Sequence, residues 1–214
     1  MKTTIQDKTS LVNSVFSKVH KKYDLMNDVM SLGIHRIWKK KLIDWMGPQK
    51  NENLIDVASG TGDIAKLFSK KNNHLNKITC VEPNDNMYLV GKSNLKKYSN
   101  IKWHKAKAEK LPFNESSYDF YTISYGIRNV SNINTTLKEA FRVLKPGGRF
   151  MCLEFSKIHN ELINAIYQQY SKAIPLFGKY IVGSSEPYEY LIKSINDFYT
   201  QEELVKLMKN NGFS

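Results

Sequence analysis

Residues 53–65, Asn-Leu-Ile-Asp-Val-Ala-Ser-Gly-Thr-Gly-Asp-Ile-Ala, constrain this chain more than any other stretch. Leu54, Ile55, Val57 and Ala58 form a short apolar run, broken only by Asp56, that reads as a buried strand. Ser59–Gly62 then turn the chain, and Asp63 opens a helical pattern through Ile64, Leu67 and Phe68. Glycines at such a corner let backbone approach a ligand, and the free N–H groups of the helix start face the same point. Gly60-x-Gly62-x-x-Ala65 also fits a dinucleotide fingerprint, with Glu82 closing the next strand. Strand, glycine turn, helix, strand and terminal acid together predict a nucleotide-type site.

Glu82 narrows the ligand. A carboxylate at the end of the second strand can accept two hydrogen bonds from adjacent ribose hydroxyls, which points to an adenosine cofactor. Asp63 bears on the rest of it. A pyrophosphate would rest on the helix N-terminus, where a carboxylate at the first position repels it. S-adenosyl-L-methionine carries no phosphate, only a sulfonium and an amino-acid end. The methyl donor is therefore favoured, with a nicotinamide dinucleotide as the competing reading.

The rest of the chain supplies the sheet. Lys77–Glu82, Ile101–His104, Tyr118–Ser124 and Arg149–Phe155 read as strands two to five, separated by helical patterns over 84–97 and 132–144. Lys145-Pro146-Gly147-Gly148 reads as a tight turn before strand five. Strands alternating with helices predict an α/β fold with a doubly wound, mostly parallel sheet. Ligands then bind where Ser59–Gly62, Glu82, Lys107-Ala108 and Ser124–Asn129 converge, at the carboxyl ends of the strands.

Before the sheet, residues 1–47 form a helical segment, with Leu11, Val12, Val15, Phe16 and Val19 at helical spacing. Its middle, Tyr23 to Arg36, carries Tyr, two Asp, Asn, His and Arg among apolar side chains, more polarity than a plain amphipathic helix needs. It is either a packing cap on the sheet or a lid over the cofactor. Residues 48–214 form the cofactor-binding α/β domain, with a helical insertion at about 158–196.

Composition excludes some partners. Lys and Arg number 32 against 20 Asp and Glu, a net charge of +12, which invites a nucleic-acid reading. However, only Arg36, Arg128, Arg142 and Arg149 are arginines, and arginine is the residue bidentate phosphate and base contacts require. The lysines are spread along the chain, and with Asn and Ile also abundant a compositional bias of the source explains them best; an attraction to anionic lipid headgroups is compatible with the same excess. Cys80 and Cys152 lie in apolar stretches and read as core thiols of a reducing, cytoplasmic compartment. No His/Cys cluster has ligand spacing, so no metal is expected. No stretch approaches ~18 apolar residues, so no membrane span is expected.

Motifs then carry a resemblance. Asp56-Val57-Ala58-Ser59-Gly60-Thr61-Gly62-Asp63, Ala108 to Phe113 and Arg142 to Gly148 resemble the class I, Rossmann-like S-adenosylmethionine-dependent methyltransferases. Lys22 to Asp28 with Ser31 to Lys39, and Gly126-Ile127-Arg128-Asn129-Val130 with Leu153 to Lys157, resemble the ubiquinone/menaquinone biosynthesis C-methyltransferases. The resemblance runs from about Phe16 to Phe213. It implies methylation of a ring carbon of a polyprenylated quinol, 2-polyprenyl-6-methoxy-1,4-benzoquinol or demethylmenaquinol. Another small molecule is the alternative acceptor. It also implies that Gly60, Thr61, Gly62, Glu82, Lys107, Ala108 and Ser124 hold the cofactor. Family members usually carry Asn or Asp at position 107. Lys107 cannot accept a hydrogen bond, so backbone contacts from 107 and 108 are expected, with the side chain in solvent. Family members also continue past the Gly-Phe with a closing β-hairpin, which this chain lacks.

Arg128, Asn129 and Tyr23 are the catalytic candidates. A ring carbon attacks a methyl group well only when an adjacent phenolic oxygen loses its proton, and that hydroxyl has a pKa near ~10. Arg128 is a fixed cation for the oxyanion, Asn129 can orient the oxygen or a water, and Tyr23 can close over the ring from the lid. His35 is a weaker candidate base. A quinol with a polyprenyl tail resides in lipid, so peripheral docking at the inner membrane face is expected, with the Tyr/Ile-rich helices of 158–195 and the lysines as contacts. The sequence leaves a homodimer open.

Overall fold

Five short apolar runs pair into one parallel sheet in the computed structural model, which describes residues 10, 12, 14, 15, 17, 22–71, 73–157, 161, 165, 167–171, 174, 175 and 184–214. The strands are β1 (Leu54–Val57), β2 (Ile78–Val81), β3 (Ile101–His104), β4 (Tyr118–Ser124) and β5 (Leu144–Leu153), in the order β3-β2-β1-β4-β5. All four residues of β1 are buried, as expected of a central strand covered on both faces. Leu54 faces Ile78 on one side and Phe120 on the other. The chain thus steps outward through β2 and β3, then returns to lay β4 beside β1. At that reversal the connections leave in opposite directions and open a crevice beyond the carboxyl ends.

Seven helices surround the sheet among the described residues: α1 (Tyr23–Ser31), α2 (Ile34–Met46), α3 (Asp63–Lys71), α4 (Asp85–Asn94), α5 (Ile133–Val143), α6 (Glu186–Asn196) and α7 (Gln201–Asn210). Local chemistry sets their starts. The Asn84 side chain accepts from the N–H groups of Asn86 and Met87, both at 3.1 Å. Thr200 and Glu203 form a reciprocal capping box on α7. On one face of the sheet, α5 and α7 bury Leu137, Ala140 and Val143 against Ile55, Tyr121 and Ile123. On the other, Leu42, Met46, Ile64 and Phe68 of α2 and α3 pack on Leu54, Ile78 and Phe120.

The N-terminal helices divide their roles. α2 belongs to the sheet's core. α1 instead joins α6, with Met26 and Met30 against Tyr188, Leu191 and Ile195. A helix before the sheet therefore packs on one that follows it.

One strand boundary differs from the sequence pattern. Lys145-Pro146-Gly147-Gly148 is not a turn before strand five but a bulge within it. Tyr118 pairs with Leu144 and Phe120 with Arg149, so four residues bulge opposite Asp119. Lys145 reaches back to the Asp119 carboxylate at 2.8 Å, and Gly147 takes the positive φ of +76° that the bulge demands. Cys80 and Cys152 are free thiols.

Candidate active site

The crevice holds a cavity of ≈ 140 Å³. Ala58 and Gly60 after β1, Glu82 to Asn84 after β2, Lys107 to Glu109 after β3, and Tyr125, Gly126 and Asn129 after β4 line it. Gly60, Glu82, Lys107, Ala108 and Asn129, which the sequence scatters over 70 positions, thus come together. Lys107 is exposed and Ala108 buried at this wall.

Glu82 is fixed before any ligand arrives. Its Oε2 accepts from Gly60 N–H and its Oε1 from Asn84 N–H, each at 2.9 Å. Burial pushes its carboxyl up to about 7, and those two N–H groups pull the other way. Each oxygen keeps a lone pair for a further donor.

A smaller cavity of ≈ 20 Å³ adjoins the first and shares Ala58, Gly60 and Tyr125 with it. Thr61, Ser124, Asp56, Lys39 and Asp63 line it as well. Asp56 Oδ1 accepts from Thr122 Oγ1 at 2.8 Å, while Asp56 Oδ2 and Ser124 Oγ are buried without a partner. Burial holds the Asp56 carboxyl at about 7. Unpartnered buried oxygens are costly, and here they face a space that an ammonium and a carboxylate would fill. The amino-acid end of S-adenosyl-L-methionine fits that donor and acceptor set, and its ribose fits Glu82. The sequence marked Asp56 only as the polar break in strand one; an acid in a buried strand is itself the signal.

Strain gathers at the same point. Ala58 and Tyr125, at the ends of β1 and β4, both adopt positive φ, +54° and +57°. Non-glycine residues pay for that conformation, and such outliers cluster at functional sites. Gly126 lies between them, where a Cβ would stand 2.6 Å from that of Ala58.

Gly62 lines neither cavity. With φ +90° and a would-be Cβ 2.5 Å from Leu95 Cδ1 and 3.2 Å from Trp103, its size is set by packing of the loop on α4 and β3. Gly62→Ala is expected to destabilise the chain by ~1–3 kcal/mol. Chemical denaturation checks this, and an unchanged midpoint would show that Leu95 simply yields.

Arg128 lines neither cavity and sits in a 3₁₀ turn over Ile127–Asn129. It is buried, and its Nη1 donates to Glu154 Oε1 and, at 3.0 Å, to Tyr125 O. Its Nε has no partner. Neither Asp24 nor Asp28 pairs with it. Asn129 donates from Nδ2 to Tyr125 O at 3.3 Å and accepts from the Tyr190 hydroxyl at 2.8 Å. Tyr190, on α6, carried no motif in the sequence. Tyr23 opens α1, and its side chain lies outside the described residues.

Two polar links tie the N-terminal helices to the glycine loop. Lys39, buried in α2, pairs with Asp63 at 2.8 Å, and Thr61 Oγ1 donates to Asp24 at 3.3 Å. His35 is fully buried, on Asp28 at 2.9 Å, and lines neither cavity. Burial lowers its pKa, and the ring packs edge-on to Tyr125. Among the described residues no three His, Cys, Asp or Glu side chains gather as a metal cluster, and no helix is long and apolar enough to cross a membrane.

A parallel sheet in this order, a glycine loop and a buried acid just after β2 are the features of a class I S-adenosylmethionine-dependent methyltransferase. Solved structures share the fold. A SAM-dependent methyltransferase from Thermotoga maritima superposes with a TM-score of 0.65 at 22% identity, over 94% of this chain and 81% of its own. A phosphoethanolamine N-methyltransferase from Haemonchus contortus, solved with S-adenosyl-L-methionine, gives 0.60 at 17% identity, over 82% of this chain and 36% of that one. Sequence decides the family. The ubiE/COQ5 methyltransferase family model matches residues 2–214, and the chain belongs to that family. It is 48% identical to the ubiquinone/menaquinone biosynthesis C-methyltransferase UbiE of Rickettsia bellii, over 99% of this chain and 88% of that protein. It is 46% identical to the UbiE of Agrobacterium fabrum, over 97% and 82% respectively.

Proposed function

We propose that this enzyme methylates a ring carbon of a polyprenylated benzoquinol or naphthoquinol, using S-adenosyl-L-methionine. Near-full-length similarity to proteins named for ubiquinone and menaquinone biosynthesis carries the reading. The turn after β4 supports it, since Asn129 lines the main cavity and its neighbour Arg128 is a buried cation in the same turn.

When bound, the cofactor supplies a methyl group on a sulfonium, an electrophile that needs no Lewis acid. Glu82 would hold the ribose hydroxyls, Ala108 and the Lys107 backbone the adenine, and Asp56, Thr61 and Ser124 the amino-acid end. The chain's remaining task is to orient the ring and raise its electron density. Arg128 is the cation for the phenolate oxygen, with its unpartnered Nε–H as the free donor. Asn129, held by Tyr190 and Tyr125, orients that oxygen or a proton-accepting water. In the same reading, α1 acts as the lid, held to the glycine loop by the Thr61–Asp24 link, and Tyr23 closes on the ring.

Supplying labelled S-adenosyl-L-methionine with each quinol tests this. Label on a ring carbon of at least one quinol is expected, with activity surviving dialysis against EDTA. Label on a hydroxyl oxygen, or on neither acceptor, would refute the assignment.

A further inference from the structure

α2 has two apolar faces, and one is largely exposed, with only Trp38 meeting a neighbouring ring, Phe155, among the described residues. Leu42, Ile43 and Met46 are buried in the core, as their helix face requires. Ile34, Ile37, Trp38, Lys41 and Trp45 recur at steps of three and four and so share an adjoining face. Ile37 is 57% exposed and Trp45 76%, and Leu32 just before the helix is 72% exposed. Lys40 and Lys41 are exposed along the same stripe.

The stripe meets a cavity of ≈ 640 Å³, distinct from the two beside the glycine loop. Leu32, Ile34 and Trp38 belong to both the stripe and the cavity lining. Met30, Phe155 and Glu154 line it too, and Glu154 is the carboxylate bound to Arg128. An apolar chamber therefore connects an exposed apolar surface with the buried ion pair.

We propose that the Leu32–Trp45 stripe docks this chain on a lipid bilayer, with the chamber as the portal through which the substrate's isoprenoid tail enters directly from lipid. The proposal rests on the quinol reading. The sequence pointed instead to the 158–195 segment for membrane contact, much of which lies outside the described residues. Charge and side-chain type select lipid as the occupant. Tryptophans settle where one ring end is apolar and the other wet, and lysines lay their stems on the stripe while the ammonium reaches anionic headgroups. A net charge of +12 favours an anionic surface for the chain as a whole.

Flotation with phosphatidylcholine–phosphatidylglycerol vesicles at low salt is the test, comparing the parent with Ile37→Glu/Trp45→Glu. Neither residue lines any of the three cavities described above and both are exposed, so the fold is expected to survive. The double variant is expected to lose at least about tenfold in vesicle binding. Its turnover of a long-tailed quinol in those vesicles should fall by a similar factor, while turnover of a short-tailed soluble quinol stays within about twofold of the parent. A parent that ignores vesicles, or a variant that binds them equally, overturns the proposal. So does a parent that sedimentation shows to be a dimer through this stripe, with no vesicle binding. If the parent methylates no quinol at all, the functional reading fails, and flotation still decides the docking face.

Discussion

Replacing Glu82 by alanine is expected to weaken binding of S-adenosylhomocysteine by about 10- to 100-fold, corresponding to the ~1.5–3 kcal/mol of a charged bidentate acceptor. The loss has two sources. Two ribose hydroxyls lose their partner, and the N–H groups of Gly60 and Asn84 lose theirs. The parent should also show a pH signature. Burial places Glu82 at about 7 in the free protein, so below that pH it carries a proton and accepts less well. Ligand hydroxyls favour the ionised form, so binding expels the proton. Affinity therefore rises with pH and levels off above about 7, by up to about tenfold per unit below it. Folding of the free protein runs the other way. A carboxyl whose folded pKa is raised adds stability below its unfolded value, and that stability drains away as pH climbs towards about 7; Asp56 adds to the trend. The melting-temperature gap between free and ligand-bound protein should thus widen from pH 6 to pH 8. Glu82→Gln should flatten it. Affinity within threefold of the parent in Glu82→Ala would remove Glu82 from the site.

Local pattern made much of this site readable. Glu82, Gly60 and Ala108 sit at strand ends fixed by apolar runs and turns, and a parallel sheet brings such ends together wherever its order reverses. Asp63 was readable as an acid, but its partner Lys39 was not, since 24 residues and a helix crossing separate them. The Lys145 to Gly148 stretch shows the limit of local reading. Its residues do specify a tight reversal, but pairing of β5 with β4 recruits that reversal as a bulge. Glu154 was visible within a motif, yet only the fold aligns the end of β5 with the turn after β4. Tyr190 is a further case. Nothing in α6 marks one tyrosine over another until the helix docks and its hydroxyl meets Asn129. Strain at Ala58 and Tyr125 was equally hidden, because neither residue type signals positive φ.

The Arg128–Glu154 pair should respond unequally to loss of either partner. Both side chains are buried, at 1% and 4% exposure. Breaking a buried pair costs ~3–5 kcal/mol when the survivor stays charged. A stranded guanidinium cannot give up its proton, whereas Glu154 can take one, and burial already raises its pKa. Glu154→Leu should therefore lower the melting temperature by roughly 6–20 °C, at about 2–4 °C per kcal/mol for a chain of this size. Arg128→Met should cost markedly less. Activity should follow the opposite order if Arg128 holds the phenolate oxygen. Arg128→Met is then expected to lower kcat by at least ~10²-fold with S-adenosylhomocysteine affinity nearly unchanged. The double variant Arg128→Met/Glu154→Leu separates the roles, since apolar replacement of a whole buried pair is close to neutral for stability. It should melt near the parent and remain as inactive as Arg128→Met. Recovery of kcat along with stability would make Arg128 a structural residue alone.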